Sequence, residues 1–152
     1  MEWKVRELVA EETHDLRRAV SADGRTDLPS MHHVMDDSPG AWHLGAVDQT
    51  GRIVAISTFY FDADLRRPEA GPAVQLAFMA VDPAVQGEGI GTAVMSEAIR
   101  RLRESDAVLL WANARASALH FYETFGFRTV PKSEFALPES GRPHHLIELD
   151  LT

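Results

Sequence analysis

The stretch from residue 73 to 112 constrains the fold more than any other part of the sequence. Residues 73–81, AVQLAFMAV, are apolar on both alternating faces except at Gln75, which is typical of a strand buried in the middle of a sheet. An amphipathic stretch follows at about residues 92–103. A second apolar run, AVLLWA, occupies residues 107–112. Strand, helix and strand at this spacing predict a right-handed crossover between two parallel strands.

Three glycines stand at every second position in front of this predicted helix, at Gly87, Gly89 and Gly91. Glycine weakens the interior of a helix or strand. Three glycines in one short segment therefore indicate that another group approaches the main chain closely here. Backbone N–H groups beside a helix N-terminus bind phosphate or pyrophosphate well. A nucleotide P-loop is excluded because no lysine precedes Thr92, and a dinucleotide fingerprint is disfavoured because that position is not glycine. A tight turn that binds nothing is the other interpretation, but a turn usually needs one glycine.

The rest of the chain alternates between apolar runs and turn formers. Strands are expected at about residues 2–9, 42–47, 53–61, 127–130 and 145–151, with the second and third joined as a hairpin. Helices are expected around residues 16–20 and over 115–125, the latter ending in a left-handed cap at Gly126. Residues 23–40 and 62–72 are predicted to be loops, the first with a short helix inside. These elements predict an α+β protein with a mixed sheet and helices on its faces.

Composition limits the class of protein further. A chain of 152 residues favours one domain spanning residues 1–152. Its net charge of −8 makes nucleic acid an unexpected partner, since phosphate contacts need a basic face. No apolar stretch is long enough to cross a bilayer and no signal peptide is recognisable, so we expect a cytoplasmic protein without a membrane partner. The absence of cysteine excludes disulfides, thiolate metal sites and a cysteine nucleophile.

Two blocks of the sequence resemble the signatures of a known superfamily. The block QGEGIG at residues 86–91 is similar to the Q/R-x-x-G-x-G/A motif of the GNAT superfamily, the acetyl-CoA-dependent N-acetyltransferases. The block NARASALHFYETFGF at residues 113–127 is similar to the family's N-x-x-A-x-x-x-Y-x-x-x-G-F segment. The resemblance covers the whole chain in element order and is sharpest over residues 73–130. It implies a mixed, mostly antiparallel seven-stranded sheet with helices on both faces and splayed central parallel strands.

The resemblance implies acetyl-CoA as the cofactor. The pantetheine arm would lie between strands four and five and pair with strand-four backbone, while the glycine loop would cradle the pyrophosphate. The residues expected to bind the cofactor are Phe78, Met79, Ala80, Val81, Gln86, Gly87, Glu88, Gly89, Ile90, Gly91, Thr92, Asn113, Ser117 and Phe121.

The resemblance also implies transfer of the acetyl group to a primary amine of a small molecule or peptide. Tyr122 matches the family tyrosine that faces the thioester sulfur, and a phenol has a pKa near that of a leaving thiol, so it is the candidate general acid. The other interpretation of Tyr122 is a buried helix aromatic. A backbone N–H near Met79 to Val81 could stabilise the oxyanion. Without a cysteine, direct attack in a ternary complex is expected. A non-catalytic acyl-CoA-binding sensor on the same fold is the alternative function.

The sequence leaves the general base open. Some family members carry a glutamate eleven residues before the loop glutamine, where this chain has Gln75, and an amide cannot accept the proton. Histidine has a suitable pKa near neutrality, and a bound water relay is a further alternative. The candidates for the base or the acceptor site are His32, His33, Asp36, Asp37, His43, Tyr60, His144 and His145. The predicted substrate residues are His33, Asp37, Gln75 and His144.

Seven histidines raise the question of a metal site. H-E-x-x-H and comparable spacings are missing from the sequence, and the adjacent pairs His32-His33 and His144-His145 would point to opposite faces of an extended strand. The sequence therefore predicts no metal ligands. The expected partner is the amine acceptor, and the dimerisation common in the family implies a homodimer.

Overall fold

The structure is a computed structural model that describes residues 2–21, 30–62, 68–136 and 141–152. Residues 23–29 of the first predicted loop and 63–67 of the second lie outside the described residues.

Strands and helices alternate as the sequence patterns predict. The strands are β1 Trp3–Leu8, β2 Trp42–Asp48, β3 Ile53–Phe61, β4 Ala73–Val81, β5 Leu109–Arg115, β6 Arg128–Thr129, β7 Phe135–Ala136 and β8 Pro143–Asp150. The α-helices are α1 His14–Leu16, α2 Ile90–Arg103 and α3 Leu119–Glu123. A 3₁₀ turn Ala10–Thr13 precedes α1 and a π turn Arg17–Ser21 follows it. Shorter 3₁₀ turns are Val34–Asp37, Pro68–Ala70, Pro83–Val85 and Ala116–Ala118.

The strands follow the order β1-β2-β3-β4-β5-β8-β6, with β7 pairing β8. The β4–β5 ladder is parallel and joins Ala73–Leu76 to Leu109–Ala112. The β1–β2, β2–β3, β5–β8, β6–β8 and β7–β8 ladders are antiparallel. The predicted mixed, mostly antiparallel α+β class is therefore confirmed. Among the described residues the sheet has eight strands rather than the predicted seven, because Phe135–Ala136 pairs with β8 and is too short to show an alternating pattern.

The chain forms two compact units. The first comprises Met1–Tyr60 and Ala77–Arg101, and the second comprises Phe61–Leu76 and Leu102–Thr152. Strand β4 thus contributes its first four residues to the second unit and Ala77–Val81 to the first.

In the described part of the first unit, two apolar clusters lie on opposite faces of its strands. One cluster joins Ala46 of β2 and Val54 of β3 to Val94 of α2. The other joins Val47 and Ile56 to Leu16 of the first helical segment. Because neighbouring residues of a strand point to opposite faces, Ala46 and Val47 separate the two clusters. Helices therefore cover both faces here, as predicted.

The second unit is organised around β5 and β8. Their antiparallel ladder runs from Leu109 opposite Asp150 to Arg115 opposite His144. The predicted helix over residues 115–125 starts too early, because Arg115 still belongs to β5 and a 3₁₀ turn precedes α3. The helix also ends two residues before the predicted end, at Glu123, and Gly126 beyond it adopts the predicted left-handed conformation, with φ of 99°.

Strand β1 is one end of the strand order and pairs with β2 from Trp3 opposite Asp48 to Leu8 opposite His43. None of the helices in the described part of the chain has the length and apolar character needed to span a bilayer.

Candidate functional site

The turn between β4 and α2 is held by Asp82, whose side chain is largely buried. Its Oδ1 accepts a hydrogen bond from the backbone N–H of Ala84 at 2.9 Å, and its other oxygen pairs with Arg52. Its own N–H donates to Val54 O at 2.9 Å. An Asp-Pro start is well suited to such a turn, since the carboxylate caps the following 3₁₀ turn. These contacts fix the point at which the glycine segment leaves the sheet.

Gly87 and Gly89 both adopt left-handed backbone conformations, with φ of 86° and 80°. A Cβ atom built on either would meet nothing within 4 Å. The backbone conformation, and not crowding by the protein, therefore explains why these positions are glycine. The third glycine is different, because Gly91 lies inside the first turn of α2 and is buried.

Helix α2 begins at Ile90 and runs for 14 residues. Its first hydrogen bond within this turn is from Ala93 N to Gly89 O, at 3.1 Å. The N–H groups that precede Ala93 have no carbonyl one turn behind them in the helix, and the helix dipole adds partial positive charge at this end. The turn thus combines unpaired donors, positive potential and open space on one side.

The last residues of β4 pack by their side chains within the first unit. Met79 and Val81 contact the cluster that includes Val94, and Ala80 belongs to the opposite cluster. The ring of Phe78 lies under the guanidinium of Arg17, whose Cζ is 4.2 Å from the ring centroid. Ala80 is therefore buried, whereas Phe78, Met79 and Val81 pack within this unit and remain half-buried.

In the second unit, Asn113 near the end of β5 and Ser117 in the following 3₁₀ turn are both exposed. Phe121 is half-buried and contacts Tyr122 and Phe125 edge-to-face, with ring centroids 5.2 and 5.1 Å away. Asn113 and Ser117 thus keep their polar groups accessible.

Tyr122 is buried in an aromatic cluster. Its ring lies edge-to-face against Phe121 and against Phe127, the latter at 5.5 Å, and the residue is 8% exposed. Burial raises the pKa of the Tyr122 phenol above its ordinary value, and the charge of Arg115 opposes this rise. The phenol therefore keeps its proton throughout the neutral pH range.

A buried polar cluster, formed by Arg17, Asp36, His43, Thr58 and Tyr60, lies in the first unit. Arg17 donates from Nη1 to Asp36 Oδ2 at 2.7 Å and from Nη2 to Asp36 Oδ1 at 3.0 Å. It also donates to Thr58 Oγ1 at 2.9 Å. Tyr60 donates its phenolic proton to Asp36 Oδ1 at 2.7 Å, and His43 Nδ1 lies 2.8 Å from Thr58 Oγ1. This arrangement compensates a charge pair that has no exposed side-chain surface.

The cluster shifts the pKa values of its members. Burial raises the pKa of Asp36, but hydrogen bonds from Arg17, the His33 N–H and Tyr60 outweigh it and hold the pKa well below its usual range. Burial lowers the pKa of His43, with the nearby charge of Asp36 acting in the opposite direction. Burial and the bond to Asp36 raise the pKa of Tyr60. The cluster is therefore built for an ionised Asp36, a neutral His43 and a protonated Tyr60 at neutral pH.

The predicted base and acceptor residues divide between the two units. His32, His33, Asp36, His43 and Tyr60 come together around the buried polar cluster, where the His33 ring stacks on Tyr60 with centroids 5.4 Å apart. Asp37 is exposed and lies 3.0 Å from His32 Nε2. In the second unit, Gln75 is half-buried in β4, and His144 is buried with Nδ1 2.9 Å from Arg142 O. That contact favours a structural role for His144.

Sequence reasoning did not single out Arg17, the cation of the buried polar cluster. Arg17 lies on a short apolar helical pattern, and its partners are 19 and 41 residues away along the chain. A local sequence pattern cannot identify an arginine whose hydrogen-bond partners lie so far away along the chain.

The profile of the Acetyltransferase (GNAT) family matches residues 4–127 of the sequence. The chain belongs to this family. The GNAT assignment makes it an acyltransferase and confirms the family resemblance of the glycine and tyrosine blocks.

Relatives of this GNAT chain cover nearly its whole length. It is 24% identical over 144 residues to an uncharacterized N-acetyltransferase, YitI, of Bacillus subtilis strain 168, covering 95% of this chain and 93% of that protein. An acetyltransferase of the GNAT family from Streptococcus pneumoniae superposes with a TM-score of 0.74 at 19% identity, covering 99% and 100% of the two chains. An aminoglycoside 6′-N-acetyltransferase solved with coenzyme A superposes with a TM-score of 0.73 at 12% identity, covering 98% and 97%. At these identities the structural likenesses establish the GNAT fold.

Proposed function

We propose that the chain transfers the acetyl group of acetyl-CoA to a primary amine of a small molecule or peptide, by direct attack in a ternary complex. The observation that carries the proposal is the turn before α2. There, two left-handed glycines with open space beside them precede a 14-residue helix whose first N–H groups are unpaired by the helix. Membership of the GNAT family indicates that the reaction served by such an anion site is acetyl transfer.

The open space beside Gly87 and Gly89 and the positive end of α2 support binding of the acetyl-CoA pyrophosphate at this turn. Gln86, Gly87, Glu88, Gly89, Ile90, Gly91 and Thr92 would hold the pyrophosphate, chiefly through backbone N–H groups. Glu88 is exposed, so its carboxylate can stay in water and away from the phosphates. The main chain of Phe78, Met79, Ala80 and Val81 would bind the pantetheine arm, since their side chains are already packed. In the second unit, Asn113 and Ser117 would donate or accept hydrogen bonds and Phe121 would contact apolar parts of the cofactor.

Acetyl-CoA would supply an activated acetyl group, with a C–N bond forming to the amine and the C–S bond to coenzyme A breaking. Tyr122 is the proposed general acid, because it matches the family tyrosine that faces the thioester sulfur and its buried phenol stays protonated at neutral pH. A backbone N–H near Met79 to Val81 would stabilise the negative charge that develops on the carbonyl oxygen. The attacking amine loses its proton to a base, for which the residues around the buried polar cluster or a water relay are the candidates. The sequence contains no cysteine to carry an acetyl group, which favours direct transfer.

The first test is thermal unfolding with acetyl-CoA, with NAD and ATP as controls. A ligand present at 100 times its dissociation constant stabilises the folded state by about 2.7 kcal/mol, which raises the midpoint by a few degrees. We expect the rise with acetyl-CoA and not with NAD. No rise, or an equal rise with NAD, would show that the glycine turn does not bind acetyl-CoA.

The second test is release of coenzyme A with a panel of primary amines, measured with a thiol reagent. The protein contributes no thiol of its own, so the signal reports only released coenzyme A. We expect amine-dependent release, intersecting initial-velocity lines for the two substrates and no acetylated protein in the intact mass. Binding of acetyl-CoA without release with any amine would instead favour a non-catalytic acyl-CoA sensor.

A further inference from the structure

We propose that His14, His32 and Asp36 form a binding site for a divalent transition-metal ion of the zinc type. One ligand atom from each of the three residues lies within 4.8 Å of the other two. His32 Nδ1 is 3.5 Å from Asp36 Oδ2, close to the roughly 3.3 Å that separates two ligand atoms in a tetrahedral zinc site with bonds near 2.0 Å. This site shares no residue with the glycine turn, whereas His32 and Asp36 are also among the candidates for the base or the acceptor site of the proposed acetyl transfer.

His14 supplies an observation that points to a ligand. Its Nε2 atom is buried and has no hydrogen-bond partner among the described residues. The His14 ring meets the His32 ring edge-to-face with centroids 5.7 Å apart, so the two imidazoles share one location. Buried polar atoms are almost always satisfied in folded proteins, and an ion coordinated by Nε2 would satisfy this one.

The surroundings of His32 orient it as a metal ligand. Its Nε2 lies 3.0 Å from Asp37 Oδ1. A carboxylate oxygen accepts in this contact, so Nε2 is the donor, and in the neutral ring the lone pair of Nδ1 then faces Asp36 Oδ2 at 3.5 Å. A carboxylate that holds the second nitrogen of a coordinating histidine is the usual support of a zinc ligand.

Asp36 is an ionised and rigid third ligand. Arg17, the backbone N–H of His33 and the Tyr60 hydroxyl all donate to its carboxylate. A bound ion would have to share Asp36 Oδ2 with the hydrogen bonds from Arg17 and the His33 N–H. The positive charge of the Arg17 guanidinium would also repel it. The two imidazoles must therefore provide most of the affinity, which favours zinc, nickel or copper over the oxygen-seeking calcium and magnesium. We expect a moderate affinity that selects for ions with a preference for nitrogen.

The test is a zinc titration of the untagged full chain, after dialysis against a chelator, by calorimetry. We expect about one zinc per chain and a rise of a few degrees in the unfolding midpoint, with no comparable effect of magnesium. His32→Asn should abolish stoichiometric binding, and His14→Asn should do the same. Asp37→Asn, which removes only the support of His32, should lower the affinity by roughly 10- to 100-fold.

His120→Gln is the matched control, since His120 is an exposed histidine of α3 in the other unit. It should bind zinc like the unmodified chain. Should His14→Asn fail to fold by circular dichroism, His32→Asn decides the question, because the His32 side chain is 31% exposed and tolerates replacement. Unchanged zinc binding in His32→Asn, loss of binding in His120→Gln, equal stabilisation by magnesium, or no zinc binding at all would each overturn the proposal.

Discussion

Arg17 and Asp36 form a two-armed ion pair whose side chains expose no surface to solvent. The pair joins the turn Arg17–Ser21 to the turn Val34–Asp37, and Thr58 and Tyr60 extend it to β3. A buried charge pair gains little over an apolar pair, but it is costly to break because the remaining charge is stranded. The pair therefore fixes the position of the segment that carries His32, His33 and Asp37.

Asp36→Asn should destabilise the protein strongly, because the Arg17 charge would lose its buried counterion. We expect a loss of about 3–5 kcal/mol in the free energy of unfolding, measured by urea denaturation. The double variant Arg17→Met/Asp36→Leu should lie closer to the unmodified protein than either single variant. Glu97→Gln, at the exposed ion pair of α2, is the control and should change stability far less. A similarly small effect of Asp36→Asn would contradict the interpretation.

His43 should make stability fall between neutral and mildly acidic pH. Its pKa is lower in the folded chain than the ordinary value of about 6.5, because burial disfavours the imidazolium. The contribution of neutral His43 to the free energy of unfolding is therefore fully present above pH about 6.5. It is lost as the pH falls toward the pKa of His43 in the folded chain. We expect the free energy of unfolding to fall less in His43→Gln than in the unmodified protein when the pH is lowered from 7 to 5. Equal decreases in both proteins would count against a buried neutral His43.

Comparing Gly89→Ala with Gly51→Ala should separate the effect of backbone strain from an effect on acetyl-CoA binding. Both glycines have left-handed φ, 80° and 87°, and a Cβ on either would meet nothing within 4 Å. Each alanine should therefore lower stability by about 1–2 kcal/mol. Only Gly89→Ala should weaken acetyl-CoA binding, because its methyl group enters the space assigned to the pyrophosphate. Equal acetyl-CoA affinities for the two variants would argue that the phosphate lies elsewhere.

Tyr122→Phe should lower kcat by about 100- to 10,000-fold if Tyr122 is the general acid. The acetyl-CoA affinity and the fold should be retained, because phenylalanine keeps the packing against Phe121 and Phe127. The raised pKa of Tyr122 also predicts no loss of rate from its deprotonation between pH 6 and 9.

The control for this prediction is Tyr60→Phe, which removes the other tyrosine hydroxyl of the chain. It breaks the bond to Asp36 and should cost about 1 kcal/mol of stability, which measures the effect on the fold of losing a buried tyrosine hydroxyl. A Tyr122→Phe enzyme with full activity would support a water molecule as the proton donor.

Short-range patterns predicted the parts of the fold that depend on neighbouring residues. The continuous apolar run AVQLAFMAV forms β4 at Ala73–Val81, and Gly126 adopts the left-handed conformation predicted after the third helix. The end of β5 was misplaced because Asn113 and Arg115 are polar, although their ladder with β8 continues. The strand propensity of these residues does not indicate that they pair with β8, which lies about thirty residues further along the chain.

Long-range charge balance lay beyond sequence reasoning. The candidates around residues 32–43 were recognised by chemistry alone, and the cluster they form depends on Arg17, which no local pattern distinguishes from a solvated arginine. The roles assigned to Tyr122 and to the glycine turn stay predictions that binding and kinetic measurements will decide.

The position of β1 at the end of the strand order also bears on solubility. An edge strand offers unpaired backbone groups that a second copy could extend into an aggregate. Lys4 and Glu7 are exposed along this strand, and ion pairs with Glu12 and Arg101 hold Arg6 and Glu7 in place. Charges along an edge oppose strand-to-strand association between copies. Replacing them with neutral β-formers would leave the core untouched and yet make concentrated protein prone to precipitate.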